Sequence, residues 1–154
     1  MRRSAIAGLV AAAVLGASCS GDAGPPAPSR PSKEADRPRC DVAPGEVPEG
    51  FLLRRQRDRP HRDHVGVHRV FVAPDGRRLD YLLGVIGEVG EGLPLAGSVE
   101  LGSGQPARLA GRGKTWTLVW VQNPPCRQGA VVAAGMGRRE LLRILRRAGL
   151  LAAG

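Results

Sequence analysis

The tract Ser20 to Arg39 (SGDAGPPAPSRPSKEADRPR) most constrains what this chain can fold into, because it carries five prolines, mixed charge and no large apolar side chain. Such a stretch cannot bury enough surface to offset its lost conformational entropy, and it reads as a disordered tether. Folding is thereby confined to residues 40–151, the length of one domain. As a flexible coil, about 20 residues span roughly 25 Å root-mean-square.

Upstream of the tether stand Met1, Arg2 and Arg3, an uncharged run from Ser4 to Ser18, and Cys19. A basic start, a short apolar run and small residues before a cysteine form the pattern of an export signal. The run is shorter than the roughly 20 residues that a bilayer-spanning helix needs. Leu15, Gly16, Ala17 and Ser18 before Cys19 resemble a bacterial lipobox, in which Gly16 and Ser18 are tolerated rather than preferred. The expected product loses residues 1–18 as a signal peptide and carries acyl chains, palmitate among them, on Cys19. It is then anchored to the outer face of the bacterial cytoplasmic membrane, with 19–39 as lipidated cysteine and tether. Arg2 and Arg3 lack the bulky apolar residues of a twin-arginine signal, so the general secretory route is expected. The plainer alternative is a secretory signal with an incidental cysteine.

With Cys19 assigned to lipid, the two remaining cysteines are Cys40 and Cys126. An oxidising compartment lets them pair, and no C-x-x-C suggests a zinc ribbon or a redox centre. A bridge closing a loop of about 86 residues stabilises the fold by roughly 4 to 5 kcal/mol in the chain-entropy picture. Two buried thiols are the alternative.

Charge points to partners rather than to fold. The chain has 23 basic and 14 acidic residues, and losing Arg2 and Arg3 with the signal leaves a net charge of +7. Only Lys33 and Lys114 are lysine; the arginines cluster at Arg54, Arg55, Arg57, Arg59 and Arg62, and again at Arg138, Arg139, Arg143, Arg146 and Arg147. Outside the cytoplasm, anionic lipid, acidic polymers and acidic proteins are the available counter-surfaces, and Arg54 to Arg62 is the candidate contact. A solvated basic surface without a partner is the bland reading. The only aromatics besides histidine are Phe51, Phe71, Tyr81, Trp116 and Trp120, too few to build base-stacking platforms, so no nucleic acid is expected.

Within the folded part, Gly50 to Gln56, Val65 to Val72 and Leu79 to Ile86 read as strands, the last two joined through an Ala73-Pro74-Asp75-Gly76 turn. Ser98 to Leu101 and Ala107 to Ala110 are short strands. Thr115 to Gln122 (TWTLVWV and Gln122) alternates cleanly, with Trp116, Leu118 and Trp120 on the face that meets the core. Ala130 to Ala134 is a short buried strand. Arg138 to Ala148 turns helical, with Leu141, Leu142, Ile144, Leu145 and Ala148 on one stripe and Gly149 as the C-cap. Many strands followed by one helix predict an α+β fold, an antiparallel β-sheet with a C-terminal amphipathic helix packed on one face. Detached from the sheet, the same helix would suit a membrane interface.

These segments carry a resemblance. Pro48-Glu49-Gly50-Phe51, the Trp116 to Trp120 strand and the Gly137 to Leu145 helix are similar to a family of bacterial extracytoplasmic domains of unknown function, found on lipoproteins and on the outer parts of anti-sigma regulators. The resemblance covers residues 46 to 150 and implies a sensing or protein-binding role at the cell surface, with no catalytic residues to carry over.

His61, His64 and His68 would share a helix face, but Pro60 and the β-branched run place His64 and His68 on a strand, roughly 13 Å apart, too far to share one ion. No metal is expected; plain exposed histidines are, with a protonation-sensitive surface patch as the alternative. Gly111 to Thr115 imitates the end of a P-loop, yet Arg108 stands where its first glycine belongs and a strand follows, so a polar hairpin turn is expected. Ser98 and Ser103 lack a nucleophile elbow. Glu88 and Glu91 fall in a glycine-rich, solvated turn. About 110 folded residues leave little room for a ligand cavity. The expectation is therefore a non-enzymatic binding or sensory module without a cofactor, whose partner is an envelope protein or component; the alternative is an arginine-rich adhesion module for anionic lipid or cell-wall polymer.

Overall fold

The computed structural model describes residues 37–40, 47–85 and 87–153. All of them belong to the compact unit Lys33–Gly154, which holds the whole described core. The expected signal peptide, Cys19 and the expected tether up to residue 36 lie outside the described residues.

Seven strands form one antiparallel sheet: β1 (Leu52–Pro60), β2 (Val65–Val72), β3 (Arg78–Val85), β4 (Leu95–Glu100), β5 (Pro106–Arg112), β6 (Thr115–Val121) and β7 (Gln128–Ala134), followed by one helix, α1 (Arg138–Arg147). With ten helical residues against seven strands, the fold is mostly β and answers to α+β only loosely. The sheet order is β1-β2-β3-β7-β6-β5-β4. It is two meanders zipped together where β3 pairs with β7, so β1 and β4 are the edges.

Register explains the core. Leu79, Tyr81 and Leu83 of β3 stand opposite Ala133, Val131 and Gly129 of β7, which in turn oppose Trp116, Leu118 and Trp120 of β6. Leu109 and Ala107 of β5 continue the same face. Alternation thus puts every one of these side chains on one side, where Leu141, Ile144 and Leu145 of α1 join them in a single cluster. The helix stripe is core contact and is not free for a membrane interface.

The helix starts without a side-chain cap at Gly137, carries Glu140 in its first turn and Arg146 and Arg147 in its last, each suited to the helix dipole. It stops as its sequence dictates. Gly149 adopts φ 73°, its N–H donates to the Arg146 carbonyl at 2.9 Å, and the Leu150 N–H donates to the Leu145 carbonyl at 2.9 Å, a Schellman closure. Leu150 and Leu151 then fold back into the core.

The opposite face of the sheet is covered in part by the connection from β3 to β4. That connection must run from the middle of the sheet to its far edge, and it crosses β7, β6 and β5 on the way. Gly90 sits over Thr117, and the Gly111 N–H donates to the Pro94 carbonyl at 2.9 Å. Thr117, on the outer side of the alternation, is consequently buried.

The predicted disulfide is present. Cys40 and Cys126 are bonded at 2.07 Å with Cα atoms 5.6 Å apart, tying the start of the domain to the β6–β7 connection. The Gly111 to Thr115 stretch closes the β5–β6 hairpin, with Gly113 and Lys114 as its turn.

Candidate functional site

β1 is the element on which the candidate arginines fall. It extends to Pro60, well past the expected end at Gln56, because its polar second half is held by main-chain pairing with β2 and not by burial. All nine of its residues are exposed. Apart from Leu52 and Leu53 at its start, β1 is polar as far as Pro60, and charge on an edge strand is the usual device against unwanted sheet growth.

Its register sorts the arginines. Arg55 pairs with Val70, Arg57 with His68 and Arg59 with Gly66, so these three project to one side, while Gln56 and Asp58 project to the other. Successive members of the row stand about 6.6 Å apart, the rise of two strand residues. Arg54 sits in the bulge between Leu53 and Arg55, and Arg62 lies in the β1–β2 turn, so neither belongs to the row.

The acids near the row are already engaged. Asp58, on the other side, pairs with Arg39 at 2.7 Å. Asp80, on the row's side, takes a hydrogen bond from His68 Nε2 at 2.8 Å and two from Arg78, at 2.5 and 2.7 Å. Burial pushes the Asp80 carboxyl up, but the hydrogen bonds from Arg78 and His68 outweigh it and hold the group below its ordinary value. Arg59 donates toward His68 Nδ1 at 3.4 Å. Arg55 and Arg57 make no hydrogen bond or ion pair among the described residues, so their guanidinium groups are free to meet an anion.

The second arginine cluster is exposed along α1, where Arg147 reaches Glu49 at 3.2 Å. Arg77 of the β2–β3 turn bridges Asp75 and Glu140 and stands 5.5 Å over the Phe51 ring. Paired in this way, it serves to fix the helix rather than to bind.

The histidines depart from expectation. His64 lies in the turn before β2 and is fully buried, and His68 is half-buried, so plain exposed histidines is the wrong reading. The reason is a bulge at Gly84, whose φ of +66° turns the β3 backbone toward the turn. His64 Nε2 donates to the Gly84 carbonyl at 2.9 Å, and Nδ1 meets Asp63 Oδ1 at 2.7 Å. The Gly84 carbonyl and the Asp63 carboxylate thus hold the ring from its two nitrogens. The hydrogen bond with His64 holds the Asp63 carboxyl below its usual value. A Cβ on Gly84 would stand 2.8 Å from Cys40 Sγ and 3.0 Å from His64 Cδ2, which shows how closely disulfide, bulge and histidine pack. His61 stacks on His64 at 4.6 Å, and burial together with its neighbour's charge lowers its pKa. Sequence spacing missed this clamp; a glycine inside a strand, the mark of a bulge or a close approach, was its one signal.

Glu88 and Glu91 are exposed, on the connection that crosses the outer face. No three His, Cys, Asp or Glu side chains among the described residues are placed to hold a metal ion. Among the described residues no helix is long and apolar enough to cross a membrane. Comparison with known protein families, curated proteins and solved structures finds no match to this chain.

Proposed function

We propose that this protein is an exported, lipid-anchored binding module without catalytic function, which uses the Arg55, Arg57 and Arg59 row of β1 to hold a phosphate-bearing component of the cell envelope. The observation that carries the reading is the row itself: three guanidinium groups on one side of a fully exposed edge strand, two of them unpaired among the described residues. Planar guanidinium forks match phosphate oxygens in pairs, which lysine does not do. Support for the anchor comes from the residues around Cys19, and support for a surface role comes from the resemblance to extracytoplasmic domains on lipoproteins and anti-sigma regulators. With about 20 residues between Cys19 and Cys40, the domain reaches the headgroups of its own membrane or the polymer just above them.

Each basic residue near an anionic surface contributes about 1 kcal/mol, so the row supplies about 3 kcal/mol, or roughly a hundredfold in affinity. Sedimentation of the unit Lys33–Gly154 with phosphatidylglycerol vesicles, and in parallel with a teichoic-type polymer, tests this. One of the two is expected to bind, weakening steeply with added salt, and the triple substitution R55Q/R57Q/R59Q is expected to remove most of that binding. Binding that survives the triple substitution and high salt overturns the reading.

A further inference from the structure

A second site lies away from β1, where three connections meet: the β4–β5 turn (101–105), the β6–β7 connection (122–127) and the segment after α1 (149–151). They enclose a pocket of about 480 Å³, within the usual size range of small-molecule sites. The room comes from loops that stand beyond the end of the sheet rather than from within its core.

Three features distinguish it from an incidental gap. Its walls are fixed: the Gly102 N–H donates to the Leu150 carbonyl at 2.9 Å, the Ala152 N–H donates to the Glu100 carbonyl at 3.1 Å, and Cys126 is bonded to Cys40. Pro38, on the rim, is held through its carbonyl by the Val65 N–H at 3.0 Å. Among the described residues its lining is uncharged. In a chain with 24% charged residues, none of the thirteen described residues around the pocket carries a charge, so a charged ligand would lose its hydration without gaining a partner among them. Its polar groups are sorted: Leu101, Trp120, Pro124 and Leu150 supply apolar surface, whereas Ser103, Gln105 and Asn123 supply hydroxyl and amide groups. Gln122, also in the lining, is already used, because its Oε1 accepts the Gly84 N–H at 3.0 Å. Trp120 makes no hydrogen bond among the described residues, so its indole N–H remains available.

We propose that this pocket binds an uncharged, largely apolar small molecule carrying a hydroxyl or carbonyl group that meets Ser103, Gln105 or Asn123. The occupant is defined by what the lining lacks and what it offers: no counter-charge, an aromatic and aliphatic wall, and a few neutral hydrogen-bonding groups. The pocket shares no residue with the β1 row, so the two readings stand or fall separately.

The test uses N-phenyl-1-naphthylamine, a neutral apolar fluorophore, titrated into the oxidised unit Lys33–Gly154. Saturable one-site binding with blue-shifted emission is expected. Ser103→Phe and Gln105→Phe place a ring at the mouth from exposed turn positions, and each is expected to weaken binding by about tenfold or more. Arg57→Gln is expected to leave it unchanged. Should one filling variant lose its near-ultraviolet circular dichroism, the other carries the comparison. Absence of saturable binding, or equal binding by a folded filling variant, overturns the proposal.

Discussion

Gly129→Ala is the sharpest single test of how the core is assembled. Gly129 of β7 stands directly opposite Trp120 of β6, and a Cβ added there would lie 2.3 Å from Trp120 Cε2, 2.4 Å from Cζ2 and 2.7 Å from Nε1. Carbon atoms in contact prefer about 3.5 Å or more, so the indole must move by roughly an ångström. Inserting one methyl into a packed core costs about 1 to 3 kcal/mol when neighbours adjust by less than this. Complete expulsion of the indole would forfeit about 4 to 6 kcal/mol, from 150–250 Å² of apolar surface at about 25 cal/mol per Å². The expected loss lies between, at about 3 kcal/mol, a fall in Tm of roughly 10 to 20 °C for a domain of this size. Urea unfolding followed by tryptophan fluorescence measures it. The decisive arm is the cycle with Trp120→Leu. If the clash is with the indole, Gly129→Ala costs at least about 1 kcal/mol less in the Trp120→Leu background than in the native one. Additivity of the two substitutions, or a neutral Gly129→Ala, would refute the packing described.

Other consequences follow from the same contacts. Reduction of Cys40–Cys126, which closes a separation of 86 residues, lowers stability by about 4 to 5 kcal/mol, read from urea midpoints with and without reductant. His64→Ala leaves the buried Gly84 carbonyl without its donor and costs about 1 to 3 kcal/mol, whereas Asp63→Ala, which removes only a partly exposed acceptor, costs less. Stability also falls toward acid in two stages. His61 titrates lower in the fold than its ordinary 6.5, so the unfolded chain takes up that proton first and stability declines as pH falls through about 6.5. The carboxyls of Asp63, Asp75 and Asp80 lie below their ordinary 3.8 in the fold, so what they contribute is present above that value and is lost as pH falls through their folded values. Thermal unfolding across pH 2 to 8 displays both stages, and a flat Tm between pH 7 and 5 contradicts the first.

Where local pattern and burial agree, the sequence was legible. The Trp116, Leu118, Trp120 face, the turn at Ala73 to Gly76 and the helix stripe are all where period and turn chemistry put them, because each is decided within a few residues of chain. The second half of β1 was not legible, since a polar run such as Arg57 to Pro60 has no alternation to reveal a strand that only main-chain pairing holds. Thr117 shows another limit. Alternation assigned it to the outer face, but only the path from β3 to β4, set by sheet order, explains why it is covered. His64 and the pocket belong to the same class, because each is made by residues far apart in sequence that the Gly84 bulge or the disulfide draws together. Of the five candidate arginines, the pattern could name all but could not separate Arg55, Arg57 and Arg59 from Arg54 and Arg62, since that division depends on register with β2.

We propose that Cys19 holds the domain at the outer surface of a membrane, since a binding row on β1 matters only where it is presented. Intact-mass analysis of the native protein after membrane fractionation tests it most directly. A membrane-fraction species that begins at acylated Cys19 and is two hydrogens lighter than its fully reduced form is expected, in keeping with the Cys40–Cys126 bond. A soluble species with a free, unmodified Cys19 would contradict it.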